Sequence, residues 1–214
     1  MSEHDPQQSA ARADLCRYLA ACYYEPGPEF AQEGLFDSIL EAASRVHPDL
    51  AEHARRLRQA YAADDAQTLL IDYTRLFLGP IDPRAKPYGS FWLSGEATLM
   101  QESTVAVLEL YEQGDLAIDE EFRELPDHVA VELEFLYLLI FKQNQAHVPG
   151  KADDLSAAEQ LQGRFLSEHL GAWIGPFTAA VKAGAETAFY PELAELTELF
   201  VRMESRRPST VTRH

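Results

Sequence analysis

Side chains with the widest chemical range cluster at Glu124-Leu-Pro-Asp127-His128, followed by Glu132 and Glu134. On a helix His128 and Glu132 would share a face, a spacing that suits metal ligation or a proton-transfer pair. Taken furthest, this predicts a small metal-dependent hydrolase using His128, Glu132 and Glu134. One His and one Glu leave a metal shell incomplete, however, and Asp127 points off their shared face. The competing reading is structural: a helix N-terminus with a dipole-matched Asp127 and an intrahelical His128–Glu132 pair.

A second cluster is Tyr73-Thr-Arg-Leu76-Phe77, whose aromatic residues stand one helical turn apart with Leu76 on the same side. Such a stripe is a core face or, joined to a neighbouring aromatic segment, the wall of a groove. The adjoining stretch from Gly79 to Trp92 is such a segment, its three prolines and two glycines alternating with Tyr88, Phe91 and Trp92. This composition predicts a loop that packs back onto the core or lines a site. The P-loop, dinucleotide, nucleophile-elbow and HExxH patterns are all absent. His4, His47, His53, His147, His169 and His214 fall at unrelated spacings and propose no metal site, and no cofactor is expected.

These residues must be positioned by helices, because apolar positions recur at helical spacing almost throughout the 214-residue chain. The expected fold is all-α: a single globular domain over residues 1–214 with about nine helices, ordered from about 9 to 206 and frayed over 207–214. The pattern predicts helices over Ser9–Tyr24, Glu29–Val46, Leu50–Tyr61 and Asp65–Leu78. Another is capped by Ser94 and runs to about Gln113. Gly114 to Glu124 reads as a linker, after which Pro126 opens a helix that is apolar on nearly every side from Val129 to Phe141, hence central. Beyond a polar loop from Asn144 to Asp154, further helices are expected from Leu155 to His169, near Trp173–Ala183 and over Pro191–Arg206.

Composition narrows the function. The longest apolar run, Phe135 to Phe141, is far short of the roughly 20 residues a membrane-spanning helix needs, and the polar N-terminus lacks a secretory layout. The expected compartment is the cytoplasm. Cys16 and Cys22 suit neither a redox pair nor a zinc site. With 35 acidic and 18 basic residues the formal charge is −17, which repels nucleic acid and anionic lipid and either draws in basic polypeptides or serves only solubility.

Tyr73-Thr-Arg-Leu-Phe77-Leu-Gly-Pro80, then Pro87-Tyr88, then Glu124-Leu-Pro-Asp127-His128 running into Glu132-Leu-Glu-Phe135 carry a family resemblance. Together they resemble the TorD/DmsD/NarJ family of cytoplasmic chaperones for molybdoenzymes, over roughly Leu15 to Phe200. The proline of the second element sits one place from its commonest position in that family. The resemblance implies a TorD-like fold and a partner that is a molybdopterin-dependent oxidoreductase catalytic subunit. It further implies binding of that partner's twin-arginine leader or body until cofactor is inserted. Separately from the resemblance, the long loops leave open a homodimer formed by segment exchange. In this expectation Tyr73, Leu76, Phe77, Pro87, Tyr88 and Trp92 form the apolar wall for the leader. Asp127, with Glu124 nearby, meets arginine, and His128 orients the peptide.

Overall fold

The structure, a computed structural model, describes residues 5–27, 30, 34–79, 82–93, 102–116 and 124–207. Local capping chemistry sets the first boundaries. Asp5 accepts the Gln7 N–H and Pro6 opens α1 (Pro6–Cys22). His47 closes α2 (Leu35–Val46), and its side chain accepts the Asp49 N–H at the start of α3 (Pro48–Ala63). Asp65 caps α4 (Ala66–Tyr73) through the Thr68 N–H. This helix runs directly into a π-helical turn, Thr74–Leu78. There follow a short α5 (Gly89–Leu93), α6 (Glu102–Gln113), α7 (Val129–Ala146), α8 (Ala152–Glu168), α9 (Leu170–Gly184) and α10 (Phe189–Ser205).

Lateral packing closes a ring in the order α1, α2, α3, α10, α9, α8, α7 and back to α1. Inside the ring α7 buries Val129, Leu133, Phe135, Leu136, Leu139 and Ile140, which is why its sequence is apolar on nearly every side. Trp173, Phe177 and Phe200 fill the same interior from α9 and α10.

Two buried polar ties fasten the ring. Arg12 of α1 donates through Nε to Glu204 Oε1 of α10 at 2.8 Å. Gln162 of α8 donates to the same carboxylate at 3.2 Å, and Gln143 of α7 donates to Gln162 at 2.6 Å. In the second tie, Asp72 of α4 accepts the Thr187 N–H and hydroxyl, both at 2.8 Å, and the Glu186 N–H at 3.0 Å, fixing the approach to α10.

Several expected boundaries are corrected. Helix α7 begins at Val129, not at Pro126, because His128 is its N-cap. Helix α8 begins at Ala152, three residues before Leu155. Leu78 ends a π turn, not an α-helix, and the Gly79–Trp92 stretch is not all loop, since Gly89–Leu93 is helical. Among the described residues there are ten α-helices, α5 being the one the sequence pattern conceals. The Ser94 cap, the middle of the Gly114–Glu124 linker and the tail from Pro208 lie outside the described residues. No described helix is long and apolar enough to cross a membrane.

Candidate functional site

The π turn creates the first wall of the site. Gly79 donates to the Thr74 carbonyl at 2.6 Å, five residues back, so the last turn is one residue wider than an α-turn. The carbonyls of Arg75 and Leu76 are then free, and the returning loop takes them: Arg84 donates to Arg75 at 3.3 Å and Ala85 to Leu76 at 2.8 Å. Gly79 has φ +42°, and a Cβ there would lie 2.6 Å from the Pro83 nitrogen, so the tight return requires glycine.

The same loop is then stitched to the second motif. Val129 donates to the Pro87 carbonyl and Gly89 to the Asp127 carbonyl, both at 2.8 Å, so Tyr88 and His128 form an isolated antiparallel bridge. Asp127 Oδ2 accepts the Ser90 N–H at 2.8 Å and thereby anchors α5. Two stretches that are separate in sequence thus become one surface.

His128 stands at its centre. Its Nδ1 accepts the Ala130 N–H at 3.2 Å, which leaves the proton of the neutral ring on Nε2, 3.9 Å from Glu124 Oε2. The ring is stacked on Tyr24 with centroids 5.9 Å apart and meets the Tyr88 ring edge-on at 5.4 Å. Burial lowers the His128 pKa to about 4, so the imidazole is neutral near pH 7.

Around it tyrosines and carboxylates alternate. The Tyr88 hydroxyl donates to Glu124 at 3.3 Å, and the Tyr24 hydroxyl donates to Glu134 at 3.1 Å. Burial first, and then nearby carboxylate charge that includes Glu124, raises the pKa of Tyr24, Tyr73 and Tyr88, the last to about 12. All three phenols remain hydrogen-bond donors. Burial also raises the Glu134 carboxyl, partly offset by the Tyr24 hydrogen bond. Among the described residues Glu124 and Glu134 have no Lys or Arg ion-pair partner, Glu124 having only His128 nearby.

The expected wall divides into lining and support. Tyr88, Trp92 and Glu124 are half-buried at the surface, whereas Tyr73, Leu76, Phe77 and Pro87 are buried beneath them. Phe77 meets Tyr73 edge-on at 5.2 Å and Tyr23 at 6.1 Å. Asp127 is only 1% exposed and its placed contact is the backbone of α5, not solvent. Trp92 donates to the Lys86 carbonyl at 2.9 Å, and Lys86 lies 4.3 Å over the Phe91 ring.

The hydrolase constellation does not assemble. His128 lies outside α7 as its cap, Glu132 is fully buried against Trp173 with Nε1 3.1 Å from Oε2, and Glu134 faces Tyr24. Among the described residues no three His, Cys, Asp or Glu side chains are placed to hold a metal. Sequence spacing missed Tyr24, whose signal was only a pair of tyrosines at a helix end, and assigned Glu134 to the wrong chemistry.

This geometry joins an aromatic motif to an acidic His-containing motif through a loop, and comparison with known proteins bears on what that join is. Residues 43–179 match the family described as nitrate reductase delta subunit. The chain belongs to that family. It is thereby a member of the TorD/DmsD/NarJ group of molybdoenzyme maturation chaperones, as the resemblance in sequence implied.

Two relatives in this group show how far the likeness extends. A chaperone protein TorD from Photobacterium profundum is 32% identical over 164 residues, covering 74% of each chain. A perchlorate reductase assembly chaperone protein from Dechloromonas aromatica is 30% identical over 206 residues, covering 91% of this chain and 88% of its own. A crystal structure described as a redox enzyme maturation protein from Archaeoglobus fulgidus superposes with a TM-score of 0.52. At 20% identity, over 89% of this chain and 93% of that one, it shows the fold alone.

Proposed function

We propose that this TorD-family chaperone acts in the cytoplasm by binding the twin-arginine leader of a molybdopterin-dependent oxidoreductase subunit, keeping it from export until cofactor is inserted. One observation carries the reading. Glu124 and Glu134 are held by tyrosine hydroxyls beside a neutral His128 and lack a basic partner among the described residues. A guanidinium suits such a place because its planar fork bonds carboxylates while its face stacks on tyrosine. Tyr88 and Trp92 would receive the apolar part of the leader, while Tyr73, Leu76, Phe77, Pro87 and Asp127 hold those two in position. His128 would offer its Nε2 proton to the leader backbone. The net charge of −17 favours the encounter. The named relatives support a maturation role without catalysis by this chain.

Calorimetry with a twin-arginine leader peptide tests the proposal. The expected result is saturable binding, weakened about tenfold or more when both arginines become glutamine or when Glu124 and Glu134 become Gln, as loss of a charge-assisted hydrogen bond predicts. Equal affinity for the arginine and glutamine peptides would refute it.

A further inference from the structure

Glu132 takes no part in the proposed leader contacts, yet it is a carboxylic acid with 0% exposure at the centre of the fold. Its Oε2 accepts the Trp173 Nε1–H at 3.1 Å, while its Oε1 has no hydrogen-bond partner. Directly across from both atoms lies Gly89. A Cβ at Gly89 would fall 2.8 Å from Trp173 Nε1 and 3.0 Å from Glu132 Oε1, so no side chain fits between the chain and this pair. Gly89 is also the residue between Tyr88 and the anchored Ser90. The second unpartnered carboxylate oxygen nearby is Oδ1 of Asp127, whose Oδ2 holds that Ser90 N–H.

We propose that Glu132 is a positioning residue for the leader site: with Trp173 it forms a buried polar shelf on which Gly89 rests, and through Gly89 it sets the placement of Tyr88 and α5. This inference rests on the leader-binding reading for its consequence, though not for its geometry. The shelf needs an uncharged carboxyl. No basic side chain contacts Glu132 among the described residues, and the groups facing it are the Trp173 indole of α9, the Asp127 carboxylate before α7 and the Tyr111 phenol of α6. Burial and the Asp127 charge both raise the Glu132 pKa, while the Trp173 hydrogen bond offsets only part of that. His169, at the junction of α8 and α9, has its pKa lowered chiefly by burial, with Glu168 and Asp127 as smaller opposing influences and Arg164 acting in the same direction as burial, so its imidazole does not bring a positive charge toward Glu132 near pH 7.

The two variants that separate this role from general packing are Glu132→Gln, which keeps shape and neutrality, and Glu132→Leu, which keeps volume and removes the polar shelf. Trp173→Phe is the companion from the other side, used if Glu132→Leu does not fold. Three readouts apply: the infrared carboxylic-acid C=O band at pH 7, the amide shifts of Gly89 and Ser90 in NMR spectra, and leader affinity. The expected pattern is a carboxylic-acid band that Glu132→Gln abolishes, with the Gly89 and Ser90 amides unmoved in Gln and displaced in Leu or Trp173→Phe. Leader affinity should stay within about twofold in Gln and fall about tenfold in Leu, the scale of one orphaned polar group. Absence of the band, or Gln and Leu displacing the amides equally, overturns the proposal. Should the unaltered protein bind no leader, the leader reading fails, and the amide shifts alone still decide the role of Glu132.

Discussion

The rings of Tyr24 and His128 lie stacked, 5.9 Å between centroids and 13° from parallel, although one sits just past the end of the first helix and the other caps the seventh. The packing of α1 on α7 therefore covers the imidazole that the sequence motif supplies.

Removing that cover should release the histidine. In Tyr24→Ala, water reaches the ring and the His128 pKa should climb from about 4 toward the ordinary value near 6.5. Tyr24→Phe keeps the stack and should leave the pKa low, while freeing Glu134 of its hydrogen bond. An NMR titration of the imidazole protons in both variants checks this. Equal pKa values would show that Tyr24 does not shield His128.

Acid should find the same residue. A histidine whose folded pKa lies below its unfolded value binds more protons when unfolded, so stability is intact above about 6.5 and falls as pH drops toward 4. The loss from His128 alone is about 3 kcal/mol at the lower end, counting about 1.4 kcal/mol per pH unit. His128→Asn retains a capping acceptor, so urea midpoints measured between pH 7 and 4 should slope less steeply in this variant than in the unaltered protein.

Glu132 carries the opposite slope. Its folded pKa is raised, so its contribution is complete below the unfolded value near 4.3 and is lost as pH rises. Glu132→Gln cannot ionise in either state and should be the more stable protein at pH 8, with the advantage shrinking toward pH 5. Thermal midpoints at the two values measure it, and an advantage that grows on acidification would contradict a raised pKa.

Arg12→Ala should be the costliest of these changes. It leaves the buried Glu204 carboxylate with only Gln162 and the more distant Arg207 at 3.9 Å, and breaking the main side of such a pair costs up to about 3–5 kcal/mol. Chemical denaturation reads this directly. Arg12→Ala combined with Glu204→Leu should recover a good part of the loss, since no unpaired charge remains inside.

The sequence disclosed what depends on local pattern and concealed what depends on distant partners. The uniform apolarity of Val129 to Phe141 announced a central helix, and α7 is one. Its start was misplaced because Pro126 favours a first helical turn, whereas the structure occupies the Pro126 carbonyl with the Tyr111 hydroxyl at 2.7 Å and the Val129 N–H with Pro87. The π turn leaves no trace in residue spacing, since its extra width is held by N–H groups from a loop that returns later. Both motifs were legible as residue types, and the bridge between Tyr88 and His128 places them together. Which members face outward was not legible. Asp127 looked like surface charge because nothing local reveals that Ser90 will claim it, and Tyr24 and Glu134 meet only through helix packing.

The clasp between Arg12 and Glu204 spans 192 positions of sequence. A ribosome releases the first helix long before the residue that neutralises it has been made. Were α1 to pack on α2 and α7 before α10 is made, Arg12 would be buried without its carboxylate, an arrangement that low-dielectric burial disfavours. The Arg12–Glu204 tie between α1 and α10 can therefore form only once both ends of this stretch are present, whatever folds before it.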